Sequence, residues 1–129
     1  MNRSIATIVA VFLAGQLLAA QDQAEPASNS IKLTVDYGDG VEKRFTRIAW
    51  KTDMTVQSAI EAAQKHPRGI RFKHRGKGAT AFLFEIDGLK NERGGRGWLF
   101  RVNGKRADRS FAIAPLKVGD SVLWEFGSF

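Results

Sequence analysis

No cysteine occurs among the 129 residues. That absence excludes disulfides, thiol nucleophiles and thiolate metal sites, and it leaves no attachment residue for a lipoprotein anchor. A domain without such staples is held by packing alone, so a regular fold with a continuous core is expected rather than a loop-rich scaffold. A full-length membrane run is missing as well. The apolar segment at residues 5–20 is broken by Thr7, Gly15 and Gln16 and falls short of the roughly 20 apolar residues that a spanning helix needs.

Chemical signatures are equally sparse. No Gly-x-Ser-x-Gly elbow is present. The glycines of "GGRG" (residues 94–97) are not followed by a Lys-Ser or Lys-Thr pair, and they lead into a strand pattern rather than a helix. A phosphate loop has the opposite context, so this stretch is read as turn, strand, turn. The two histidines, His66 and His74, lie in "KHPRGIRFKHRGKG", which holds six Lys or Arg residues and no acid. Without a carboxylate partner or ligand spacing they are read as solvated surface residues. "DYGDG" (residues 36–40) lacks the further acids and distal glutamate of a calcium loop and is read as a hairpin turn. Nucleophile, base and orienter are not found together, so the expectation is a non-enzymatic chain with no catalytic residue, no metal ligand and no resident cofactor.

What is present begins with a leader. Arg3 precedes the apolar run, and Ala19 and Ala20 close it before Gln21. This is a signal-peptide layout, with cleavage expected after Ala20 and a secreted or periplasmic product, the membrane serving only for export; an uncleaved anchor is the alternative. Loss of residues 1–20 removes one basic group and lowers the formal charge from +7 to +6. Residues 21–30, "QDQAEPASNS", carry no aliphatic side chain larger than alanine and are read as a linker, leaving one domain over residues 31–129.

Within that domain "IKLTVDY" alternates with period two, and a second strand over residues 41–50 returns after the glycine turn. Phe45 and Ile48 cannot share a face of that strand without a bulge. The period then changes. Val56, Ala59, Ile60 and Ala63 form one helical stripe, with Thr55 as N-cap and Pro67 and Gly69 as the stop. "FLFEIDG", "WLFRVNG" and "SVLWEFGSF" read as three further strands, with Asn103-Gly104 as a hairpin dipeptide. The order is β-β-α-β-β-β, an α+β architecture, and one helix across a mixed sheet of about five strands is the ubiquitin-like β-grasp arrangement. Parity assigns Phe82, Phe84, Ile86, Trp98, Phe100, Val102, Val122, Trp124 and Phe126 to the core, with Phe84 and Trp124 beside Trp98. Leu83 and Glu85, Leu99 and Arg101, Leu123 and Glu125 then face away.

Taken in order, "IDG", the glycine-rich lead into "GW", "VNG", "GD" and the final "WEF" resemble one family of bacterial surface domains. These are similar to the C-terminal β-domain of transcobalamin and are known as domain of unknown function 4430. The resemblance spans roughly residues 31–126. It implies a β-grasp domain of the cobalamin-carrier or soluble-ligand-binding type, with the strand around Trp98, Leu99 and Phe100 matching the tryptophan-bearing strand of the carriers. In the carriers this domain closes over one face of a corrin whose other face rests on a separate helical barrel. No barrel-forming segment stands in this sequence, so the resemblance implies a cobalamin-like ligand without its second support.

Two surfaces are candidates for binding, each of which also reads as an ordinary solvent-facing surface. Leu83, Trp98, Leu99, Arg101 and Leu123 are the candidates for a small ligand or an envelope partner, because outward leucines clustered on one sheet face would make an apolar patch. Lys65, Arg68, Arg71, Lys73, Arg75 and Lys77 are the candidates for an anionic partner such as an acidic polysaccharide. Nucleic acid is not expected, given export and a single aromatic, Phe72, amid the charge. The expected function is an exported binding domain for a small ligand or envelope partner. The alternative is a structural or adaptor module that binds another protein or an anionic polymer through its sheet face or basic patch.

Overall fold

The computed structural model describes residues 29–129. Residues 1–28, on which the expected leader, its cleavage site and most of the linker fall, lie outside the described residues. Strand β1 (Ser30–Asp36) buries Ile31, Leu33 and Val35, as its alternation requires. It pairs antiparallel with β2 (Glu42–Ala49), and here the expected bulge is found. Ile31 faces Ile48 while Leu33 faces Phe45, so two steps on β1 match three on β2, and both apolar side chains turn inward.

Helix α1 (Val56–Lys65) starts at a reciprocal capping box. The Ser58 amide donates to Thr55 Oγ1 at 3.3 Å, and the Thr55 amide donates to Ser58 Oγ at 3.2 Å. Val56, Ala59, Ile60 and Ala63 are its buried stripe. The helix ends at extended His66 before Pro67. Gly69 closes the turn, since a Cβ there would stand 2.3 Å from the Ala63 carbonyl oxygen.

The remaining strands are β3 (Phe72–Arg75), β4 (Phe82–Ile86), β5 (Leu89–Lys90), β6 (Arg96–Val102), β7 (Lys105–Arg106) and β8 (Ser121–Ser128). They form two sheets. The larger runs β2-β1-β8-β6-β7, with β1 and β8 parallel at its centre, and the smaller runs β3-β4-β5. The turn between β6 and β7 is the expected one, with φ positive at both Asn103 and Gly104. One core cluster joins both sheets and α1.

Two expectations are corrected. The strand at residues 82–86 does not belong to the five-stranded sheet, and three short strands, β3, β5 and β7, were not anticipated. Its parity is also reversed. Leu83 is 4% exposed and Glu85 is buried, whereas Phe82 is 51% exposed and Phe84 half-buried. Both facts have one cause. Alternation separates two faces of a strand but does not say which neighbours it has, and β4 meets the core from the opposite side as the middle strand of the smaller sheet. Ile86 is buried as expected.

Candidate functional site

The N-terminal half of β6 lies beside β4 without being paired to it, and β7 covers only its far end, at Arg101 and Val102. At this seam between the sheets is a cleft of about 230 Å³. Trp98, Phe100 and Trp124 line it from the larger sheet, Leu83 from the smaller, and Phe111 from the segment after β7. That segment is held firmly. The Gln57 amide donates to the Phe111 carbonyl at 2.9 Å, the Val56 amide to the Ala114 carbonyl at 3.0 Å, and Ser110 Oγ to the Ala81 carbonyl at 2.6 Å. The aromatic rings interlock, with Phe100 4.9 Å and Phe111 5.6 Å from Trp124 between centroids.

The polar groups of the lining are unevenly satisfied. Trp98 Nε1 donates to the Leu89 carbonyl at 2.8 Å, and the Trp98 amide donates to Asn91 Oδ1 at 2.8 Å. Trp124 is 2% exposed, yet its Nε1 has no acceptor among the described residues. A buried donor without an acceptor costs about 1–3 kcal/mol, and this nitrogen is closed off from the surface. Exposed Arg106 and Arg109 also line the cleft; Arg109 Nε is 3.1 Å from Asp108 Oδ1, while Arg106 faces Arg101 across the β6–β7 ladder. The cleft thus offers aromatic walls and two guanidinium groups, with the orphan indole N–H buried within one wall.

Three of the five proposed ligand residues, Leu83, Trp98 and Leu99, come together at this cleft. Leu83 does so from the buried side, not as the outward residue expected, and Trp98, 4% exposed, faces inward as expected. Trp98 has Tyr37 and Phe126 as ring neighbours at 5.8 and 5.3 Å; Phe84, the neighbour expected from parity, packs instead against Phe82 and beneath the Arg75 guanidinium. Arg101 and Leu123 are paired across β6 and β8 on the other face, where Arg101 Nε bonds Glu125 Oε1 at 2.7 Å.

The basic stretch is divided by the fold. Lys65 and Arg68 lie beside β2, the Arg71 amide bonds Asp87, and Arg75 lies 5.0 Å over the Phe84 ring. Lys73 is 3.6 Å from Glu85, a buried carboxylate that Lys90 approaches at 3.9 Å, and Lys77 stands at the start of a short 3₁₀ turn. His66 stacks edge-on against Phe45, and His74 lies between Phe72 and Phe111. Among the described residues no three His, Asp or Glu side chains converge as a metal site would require.

Sequence reasoning missed Arg106, Arg109, Ser110 and Phe111, because "RADRSFA" has no period and its role is set by what it is pinned against. It also missed a polar clamp. The Tyr37 hydroxyl donates to Asp87 Oδ2, Lys43 Nζ approaches the same oxygen at 3.3 Å, and the Arg71 amide donates to Asp87 Oδ1 at 2.9 Å. Burial, together with the Asp87 carboxylate, pushes the Tyr37 phenol well above its usual range. Burial also opposes ionisation of Asp87, but the Tyr37 hydroxyl, the Arg71 amide and Lys43 outweigh it and hold that carboxyl below the usual carboxylate range. A phenol held protonated and a carboxylate held ionised are poor nucleophile and base, so the cluster is a tie between the β4–β5 turn and the β1–β2 hairpin.

The family model described as "Domain of unknown function (DUF4430)" matches residues 53–128. A solved structure described as a "putative metal binding protein" from Ruminococcus gnavus ATCC 29149 is similar at a TM-score of 0.61 and 17% identity, over 78% of this chain and 98% of that one. The structure of haptocorrin in complex with Cbi is similar at a TM-score of 0.67 and 15% identity, over 81% of this chain but 26% of haptocorrin. At these identities the likeness is one of fold. No curated protein matches the sequence.

Proposed function

The chain belongs to the DUF4430 family, and from that premise we propose that it is an exported, non-enzymatic ligand-binding domain of β-grasp type. Its site is the cleft between the two sheets. The β-grasp reading is supported by the parallel β1–β8 pair at the centre of the larger sheet and by the buried stripe of α1. Export rests on the leader-like residues 1–20. The observation that carries the function is the aromatic cleft walled by Trp98, Phe100, Phe111 and Trp124, with Arg106 and Arg109 on its lining. Apolar walls with a few polar groups are how small-molecule sites are built. Such a site favours a compact ligand with an apolar or aromatic body and an acceptor, preferably anionic, group.

A corrin does not fit inside. At about 230 Å³ the cleft is below the roughly 300–1,000 Å³ of ordinary ligand pockets, and a macrocycle could only lie across its mouth. Binding of a cobalamin-like ligand by this chain would therefore need a second body to hold the exposed face.

Native mass spectrometry of the protein purified from its own cells tests the proposal. The parent should carry a small adduct, and Ala107→Phe, which fills the cleft from its loop side, should lack it. An adduct retained by Ala107→Phe, or a stoichiometric envelope protein in place of any small molecule, would favour the adaptor reading.

A further inference from the structure

Beyond the cleft, β2 is an outer strand of the five-stranded sheet, with β1 on one side and no strand on the other among the described residues. Along residues 43–49 its free edge borders a groove of about 730 Å³, whose other wall is the end of α1. Phe45, Ile48, Ala62 and Ala63 give the groove an apolar floor. Lys43, Arg44, Arg47, Lys65 and Arg68 line it, and no Asp or Glu does. Lys43 and Arg44 each have one carboxylate within salt-bridge distance, Asp87 and Glu42, whereas Arg47, Lys65 and Arg68 have none among the described residues.

The backbone adds a second requirement. The Tyr37 amide donates to the Val41 carbonyl at 3.1 Å, and antiparallel ladders alternate bonded and non-bonded pairs. Arg44, three residues on, therefore turns its N–H and C=O away from β1 to the free edge. Residues 43–49 span about 20 Å at roughly 3.3 Å per residue, with the bulge between Phe45 and Ile48 inside that length.

We propose that this edge takes up an extended acidic peptide of another protein, alternating Asp or Glu with small apolar residues, as a sixth strand of the sheet. The pieces fit that occupant specifically. Main-chain bonds to β2 would supply affinity, and alternation would send one set of side chains onto the apolar floor and the other towards Arg44 and Arg47, whose parity is opposite to Phe45 and Ile48. An anionic polysaccharide would use the charge but neither the floor nor the edge amides. A second copy of this chain would set Arg44 and Arg47 against the same cations, a repulsive pairing.

The test uses the full chain and a fluorescein-labelled decapeptide alternating Glu and Val, with a heparin oligosaccharide and a Lys-Val decapeptide as comparisons. Fluorescence anisotropy should show saturable binding of the Glu-Val peptide and none of the Lys-Val peptide. Arg47→Glu/Lys65→Glu/Arg68→Glu should lose at least tenfold in affinity, while the charge-matched Lys77→Glu/Lys105→Glu/Lys117→Glu loses less than threefold. Arg44→Pro removes an edge donor that β1 does not use and should also lose at least tenfold for the peptide. Hydrogen exchange on the unmutated chain should slow at β2 amides when the peptide binds, which keeps the test valid if a variant misfolds. Peptide binding without β2 protection, equal losses in both triple variants, or tight heparin binding with no peptide binding would overturn the proposal. So would concentration-dependent dimerisation that protects β2 in the absence of peptide.

Discussion

Trp98 ties the two sheets by bonding from β6 to the Leu89 carbonyl of β5, and Trp98→Ala measures that tie. Its side chain is 4% exposed, contacts the rings of Tyr37 and Phe126, and donates from Nε1 to the Leu89 carbonyl at 2.8 Å. Truncating a buried tryptophan costs about 3–5 kcal/mol, part of it from the carbonyl left without its donor. For a domain of about 100 residues each kcal/mol moves the thermal midpoint by roughly 4–8 °C, so a fall of about 12–40 °C is expected. Trp98→Phe retains a ring but not the N–H and should fall between parent and alanine. Far-ultraviolet circular dichroism is the appropriate assay, because the substitution itself alters tryptophan fluorescence. Leu99→Asp, at a half-buried outward position, should cost only about 1 kcal/mol. A midpoint within about 5 °C of the parent for Trp98→Ala, with collapse of Leu99→Asp, would refute the assignment of faces.

The sense of β4 is checked by Leu83→Ala, expected to cost about 2–4 kcal/mol in urea unfolding, against Phe82→Ser, expected to cost about 0.5 kcal/mol; the reverse ranking would restore the parity first read from the sequence. Asp87→Asn should lower stability by about 1 kcal/mol at neutral pH through the weakened clamp on Tyr37, Lys43 and the Arg71 amide. Because the folded carboxyl titrates below its unfolded counterpart, its contribution is present above about pH 4 and is lost as pH falls through the folded value. The two proteins should therefore converge in acid unfolding curves, and a difference that persists or grows would contradict the clamp. Export predicts an N-terminus at or near Gln21 in material from the native host, and an intact Met1 on a cytoplasmic product would exclude it.

Much of the fold was legible because its signals are local. Thr55 as N-cap, the Val56–Ala59–Ile60–Ala63 stripe and the pair of glycine turns each carry their own warrant within a few residues. Even the bulge at Phe45 and Ile48 could be inferred, since two apolar residues three apart must either split faces or distort the strand. Partnership between distant strands could not. Phe82, Leu83 and Phe84 are all apolar, so alternation fits either face, and the choice is made by β3, a four-residue strand hidden in a basic run. The candidate site was half visible for the same reason. Leu83, Trp98 and Leu99 were named, but Arg106, Arg109 and Phe111 reach the cleft through a connection held by carbonyl and amide contacts that leave no mark on residue type. The contiguous basic stretch misled in the opposite way, because residues adjacent in sequence are sent to separate surfaces.

The central claim, that the seam cleft receives a ligand against its Trp98 and Trp124 walls, is tested most directly by the indole N–H resonances of a ¹⁵N-labelled sample. Trp50 serves as internal reference, because its Nε1 is already bonded to the Leu116 carbonyl at 2.8 Å and lies outside the cleft lining. Phenylacetate and related small aromatic acids should shift the Trp124 resonance saturably, leave Trp50 in place, and bind more weakly to Arg106→Ala. Ethylbenzene, with no carboxylate for Arg106, should not reproduce the Trp124 shift. If every aromatic acid leaves Trp98 and Trp124 unmoved, or shifts them equally in Ala107→Phe, the cleft is not the binding site.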